Sequence, residues 1–87
     1  MDKTIKLFNK TGLHARPAAL FVNTASKYKS NIEIVWNEKR LNAKSIMNIL
    51  SFGLTMGDKI TISATGEDEK EAIDSLVNLI ESKFGEE

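Results

Sequence analysis

The stretch TGLHARPAAL (11–20) holds the only histidine and the only proline of the chain, His14 and Pro17, with Arg16 between them. A neutral imidazole is nucleophilic near pH 7, because its ordinary pKa is about 6.5, and it can form a covalent intermediate. Pro17 suits the first turn of a helix, where a missing N–H is no loss and its φ is already set. The residue before a proline avoids α geometry, so the helix boundary falls at Ala15 or Arg16 and His14 lies at or just before the N-cap. Backbone N–H groups there lack intrahelical acceptors, and the helix dipole makes this end positive. Such an end attracts anions. Arg16 adds a fork of donors suited to phosphate oxygens, and Gly12 keeps the approach open. A phosphoryl group on His14 would meet both. The ordinary alternative makes His14 a polar cap and Arg16 a solvated surface residue. No second base, metal ligand or Gly-rich nucleotide loop accompanies the histidine. A phosphoryl group would therefore have to come from another protein and be passed on.

The elements that must position these residues follow from periodicity. TIKLF (4–8) alternates and predicts a strand. Ala18, Phe21, Val22 and Ala25 then share one face of a helix ending near Lys27. NIEIVW (31–36) alternates again, and Asn37-Glu38 makes a turn into a short strand, 39–43. Ser45 suits the N-cap of a short helix through Ile46, Met47, Ile49 and Leu50, which Gly53 would end in the left-handed conformation. Gly57 leads into a strand over 58–65. Asp68 with Glu71 resembles a capping box before a last helix to about Lys83, with Ala72, Ile73, Leu76, Val77 and Ile80 inward. Trp36 and Phe84 read as core or core-edge residues. The order βαββαβα implies an α+β open-faced sandwich, a four-stranded antiparallel sheet covered on one face by three helices.

Eighty-seven residues suit one domain over 1–87, burying roughly 60–65% of its unfolded surface. Twelve basic residues balance twelve acidic ones, so no global field favours nucleic acid or anionic membranes and any anion site is local. An RNA-binding sheet would need exposed aromatics and a basic face, against an aromatic content of 7%. The absence of cysteine excludes thiolate chemistry and disulfides, and a lone histidine excludes multi-histidine metal sites. No metal or other cofactor is expected. The N-terminal MDKTIKLFNK lacks an apolar signal, and the longest apolar run, 17–22, is too short to cross a bilayer, so a cytoplasmic protein without membrane insertion is expected.

Ser45 is a second candidate. As a helix N-cap it needs no further role, yet a phosphate there would also be favoured by the helix dipole. Ile46, Met47 and Leu50 crowd a helix too brief to bury them all, and an exposed Met-containing patch marks a partner surface.

Three stretches, TGLHARPAALFV (11–22), ASKYKSNIEI (25–34) and KSIMNILSFGL (44–54), followed by GDKITISATGEDEKEAIDSL (57–76), resemble the histidine-containing phosphocarrier (HPr) family of the bacterial phosphoenolpyruvate-dependent sugar phosphotransferase system. The likeness spans essentially the whole chain, and Gly-x-His-Ala-Arg-Pro is its specific signature. It implies that His14 accepts a phosphoryl group on Nδ1 from phospho-Enzyme I, which is charged by phosphoenolpyruvate, and passes it to sugar-specific enzyme IIA domains. Arg16 matches the arginine that contacts the phosphoryl group. Thr11 and Ala15 flank the site. Ser45 matches the serine modified by an ATP-dependent HPr kinase/phosphorylase, after which a catabolite control protein can bind. Ile46, Met47 and Leu50 match the docking surface. A family member of this kind is a carrier and not an enzyme in its own right. Glu38 departs from the glycine common in the hairpin turn. His14 separates the chain from the histidine-lacking paralogue Crh. A nitrogen-related phosphotransferase carrier and a non-catalytic regulatory binding module remain the alternatives, although KSIMNIL favours the sugar system.

Overall fold

Alternating apolar residues and helical stripes sort into four strands and three helices: β1 Asp2–Lys6, α1 Ala15–Ala25, β2 Asn31–Trp36, β3 Lys39–Asn42, α2 Ile46–Phe52, β4 Lys59–Thr65 and α3 Glu69–Glu81, followed by a 3-10 turn at Lys83–Gly85. The computed structural model describes residues 1–85. The strands form one antiparallel sheet in the order β1-β4-β2-β3. Ile32 and Ile34 of β2, Leu41 of β3, and Ile60, Ile62 and Ala64 of β4 are buried on one face. The other face is polar: the Thr4 and Thr61 hydroxyls bond at 2.9 Å, and Arg40 donates to Glu33 at 2.9 Å. Period-two burial of this kind is what an open-faced sheet requires.

Helices close the apolar face. α1 buries Pro17, Ala18, Phe21 and Ala25, and α3 buries Ala72, Ile73, Leu76 and Ile80. Val22, Val77 and Trp36 are half-buried against this core, with the Trp36 ring 6.1 Å from that of Phe52, and Phe84 is buried. The expected fold is therefore the observed one.

Details differ at the ends of elements. The first strand spans 2–6 and not 4–8, although Leu7 still continues the pairing through its N–H to the Asp58 carbonyl at 2.9 Å. α1 stops at Ala25 and not Lys27, and the chain turns there through Ser26–Tyr28. Asn37 and Glu38 both take positive φ, 50° and 65°. Two-residue hairpin loops of the I′ class demand that sign at both positions, so Glu38 adopts a conformation usually given to glycine. The expected capping box does not form. Asp68 makes no side-chain cap; its carboxylate instead accepts from the Lys29 and Ser30 N–H groups, both at 2.9 Å, and from the Ser30 hydroxyl. The Glu69 carboxylate accepts from Gly66 N–H.

Two contacts orient α1 against α2. The Leu13 N–H, just before α1, donates to the Leu54 carbonyl, just after α2, at 3.0 Å. At the other end Lys44 Nζ, just before α2, donates to the Tyr28 carbonyl beyond α1, at 2.7 Å. The two helices thus run antiparallel, with the start of α1 beside the end of α2.

Candidate functional site

His14 is the N-cap of α1, in extended backbone with φ −121° and ψ 157°, and its side chain makes no capping hydrogen bond. The polar-cap reading of this residue therefore fails. The ring is half-buried, and Ala15 and Arg16 are exposed on the first turn. No acidic side chain lies in that turn. The Ala15 and Arg16 N–H groups have no acceptor within the helix, and Pro17 contributes none. This leaves a positive, uncapped helix start with an imidazole at its mouth and a guanidinium two residues on.

Ala15 itself has φ +47°. A left-handed alanine costs about 1–2 kcal/mol and persists only where its surroundings over-determine it. Those surroundings are visible. Downstream, Pro17 is buried in the first turn. Upstream, Gly12 has φ +60°, and a Cβ there would stand 2.4 Å from the Leu54 carbonyl oxygen and 2.6 Å from Thr55 Cα. Leu13 is fully buried. Gly12 is thus required for close approach of the 53–58 loop as well as for its own φ. That loop is fixed in turn: Thr55 N–H donates to the Asp58 carboxylate at 2.8 Å, and Gly57 N–H donates to the Leu7 carbonyl at 2.7 Å.

Ser45 is the N-cap of α2, and its hydroxyl accepts from the Asn48 N–H at 3.4 Å, a long bond. Gly53 ends that helix at φ 60°, as its sequence position implied. The antiparallel pairing places Ser45 at the end of α2 away from the His14 loop, so the structure does not bring the two together. Between them lie the apolar residues. Met47 is 72% exposed and Leu50 38%, while Ile46 is half-buried against the core. Thr11 is exposed and lies within hydrogen-bond distance of the Asn9 amide, at 3.4 Å.

Two residues near the site carry little signal in the sequence. Met56 is 57% exposed in the loop that follows α2 and abuts Gly12; a lone methionine in a Gly-flanked turn is its only mark. Asn9 is 1% exposed and bonds the loop leading to His14. Nothing in its local spacing announces that.

Among the described residues, no helix is long and apolar enough to cross a membrane, and no group of three or more histidine, cysteine, aspartate or glutamate side chains could hold a metal ion. The whole stretch 1–82 matches the model for the PTS HPr component phosphorylation site. The chain is 51% identical over 72 residues to phosphocarrier protein HPr of Buchnera aphidicola, an alignment covering 83% of this chain and 85% of that one. It is 43% identical over 83 residues to the HPr-like protein Crh of Halalkalibacterium halodurans, covering 95% and 99% of the two chains. The crystal structure of HPr from Thermoanaerobacter tengcongensis superposes with a TM-score of 0.98 at 60% identity, covering 100% of this chain and 98% of that one.

Proposed function

The chain belongs to the HPr phosphocarrier family of the phosphotransferase system, and from that premise we propose that His14 carries the phosphoryl group, within a phosphocarrier domain that spans residues 1–87. The observation that carries this reading is the uncapped start of α1, where His14 supplies a nucleophile, makes no capping bond, and has no acidic side chain in the first turn of the helix. His14 attacks the phosphorus of phospho-Enzyme I with its Nδ1 lone pair while a proton stays on Nε2. The bond from phosphorus to the donor breaks as the bond to Nδ1 forms, and the electron pair leaves with Enzyme I. Helix N–H groups and Arg16 receive the phosphoryl oxygens, and a sugar-specific enzyme IIA domain later takes the group by the reverse kind of step. A carrier that must both accept and donate gains nothing from an over-stabilised intermediate, and two or three donors suit that need.

Met47 and Leu50, with Ile46 behind them, form the docking surface for Enzyme I and the IIA domains, and Thr11 and Ala15 edge it at the site. Ser45 is the target of an ATP-dependent HPr kinase/phosphorylase. The added phosphate brings about −2 charge to the start of α2. It disfavours Enzyme I beside the apolar patch and offers a catabolite control protein a new anionic surface. Cytoplasmic location follows from partners of this kind.

Incubation with Enzyme I and labelled phosphoenolpyruvate tests the reading. An acid-labile label on the wild type, absent from His14→Ala, is the expected result; an unlabelled wild type refutes it. Incubation with a cognate kinase and ATP should yield phosphoserine at residue 45 and none in Ser45→Ala.

A further inference from the structure

Asn9 sits three residues before Gly12 and five before His14, and it is only 1% exposed. It binds both backbone polar groups of Gly12. The Gly12 N–H donates to the Asn9 carbonyl at 3.2 Å, closing a turn, and Asn9 Nδ2 donates to the Gly12 carbonyl at 3.0 Å. The next N–H, that of Leu13, donates to the Leu54 carbonyl at 3.0 Å. The peptide unit joining Gly12 to Leu13 is therefore held at its oxygen by Asn9 and at its N–H by Leu54. A peptide unit anchored at both ends cannot rotate about its flanking bonds, and a buried carbonyl would be orphaned if its donor were lost. Four residues further on Pro17 fixes φ, as any proline does. Between these two anchors lie only His14, Ala15 and Arg16, and the left-handed turn is taken by Ala15, at φ +47°.

We infer that Asn9 is a positioning residue for phosphoryl transfer: its side-chain amide fixes the Gly12–Leu13 peptide plane, which in turn holds Ala15 left-handed and aims His14 at the end of α1. The inference rests on His14 being the phosphoryl acceptor. The bonds from Asn9 to Gly12 act on His14 through the backbone. Loss of the amide lets the plane turn and Ala15 relax to negative φ. The nucleophile then spends less time at its attack geometry, while the docking surface on α2 keeps its own cap and packing. A nucleophile aimed away from its attack geometry lowers turnover without weakening encounter.

The test compares wild type with Asn9→Ala and with Asn9→Leu, which keeps the volume and lacks the donors. Three quantities are measured: thermal unfolding, the dependence of transfer from phospho-Enzyme I on the concentration of this chain, and the three-bond N–H to Hα coupling of Ala15, which reads its φ. The expected result is folded variants with kcat lowered about tenfold, KM for the chain within about twofold, and an altered Ala15 coupling. The inference is overturned if folded variants keep the wild-type kcat and coupling. It is equally overturned if kcat and KM worsen together with the coupling unchanged, or if neither variant folds at 25 °C, since Asn9 would then be a stability element. A wild type that takes no phosphoryl group would sink the reading of His14 instead, and the coupling would still report whether Asn9 holds the backbone.

Discussion

Gly12 and Gly53 provide a matched pair, because both have φ +60° and differ in what surrounds them. A methyl group on Gly53 would meet nothing within 4 Å. Gly53→Ala therefore carries only the left-handed penalty of about 1–2 kcal/mol, partly offset by roughly 0.4–1 kcal/mol from a stiffer unfolded chain. The net loss is about 1 kcal/mol, or ~4–8 °C in Tm for a domain of this size. Gly12→Ala carries the same penalty and also drives a carbon to 2.4 Å from a carbonyl oxygen and 2.9 Å from the Thr55 carbonyl carbon. The obstacle is backbone, so no rotamer change relieves it and the 53–58 loop must move. Forced repacking of that kind adds about 1–3 kcal/mol, for a total near 2–4 kcal/mol and a fall of ~8–32 °C. Urea and thermal unfolding of both variants, followed by circular dichroism, measure the difference directly. Transfer from phospho-Enzyme I should also drop in Gly12→Ala and hold in Gly53→Ala. Equal stability losses in the two variants would refute the claim that the His14 loop leans on Leu54 and Thr55.

Ser45→Ala removes the cap of α2 and should lower stability by about 0.5–1 kcal/mol in urea unfolding, the low end for a cap because its bond is long. Met47→Glu should leave stability within about 0.5 kcal/mol, its side chain being exposed, while raising KM in transfer from phospho-Enzyme I. For Asp68, the Ser30 hydroxyl, followed by the Lys29 N–H, stabilises the charged carboxylate and lowers its pKa below the ordinary value. A lowered folded pKa gives stability that is present above the unfolded pKa, near 4, and is lost as pH falls through the folded one. The gap in Tm between wild type and Asp68→Asn should therefore be open at pH 7 and close below about pH 4; a gap independent of pH would contradict the bond network.

Where local spacing carries the information, the sequence is sufficient. Ile32 and Ile34 alternate with Asn31 and Glu33 because one face of β2 is wet, and Ala18, Phe21 and Ala25 recur helically because one side of α1 is covered. Pro17 and Gly53 mark helix ends by their own backbone limits, so residue types alone place His14 and Ser45 at helix starts. The departures share a cause. Asp68 has the spacing of a capping residue, yet its partners Lys29 and Ser30 lie 39 and 38 residues away, and a charged hydrogen bond to two backbone N–H groups outcompetes a local cap. Asn9 looks like any polar loop residue until the chain folds over it. The loop that carries Met56 comes up against the His14 loop only because Gly12 admits Leu54 and Thr55 beside it. The antiparallel packing of α1 on α2 is equally invisible in the spacing, since it depends on Lys44 reaching Tyr28 and Leu13 reaching Leu54.

That packing decides how a charge on Ser45 should act. α2 has seven residues, so its two ends are separated by about 10 Å of helix. The Debye length at physiological salt is about 8 Å, and a phosphate at residue 45 is substantially screened at the far end, where the His14 loop lies. Met47, two residues and about 3 Å along the axis from Ser45, is well within its field, and Leu50, five residues and about 7.5 Å along, lies near its edge. Both are exposed. A phosphoserine, or Ser45→Asp as its weaker substitute, should therefore impair the encounter with Enzyme I far more than the chemistry at His14. In transfer assays KM for the chain should rise several-fold while kcat changes by less than about twofold, and added salt should shrink the difference. The Asp variant should also keep the helix capped, so its unfolding midpoint should exceed that of Ser45→Ala. A fall in kcat at unchanged KM would mean that the serine acts on the phosphoryl site itself, which the opposed ends of α2 do not allow through direct electrostatics.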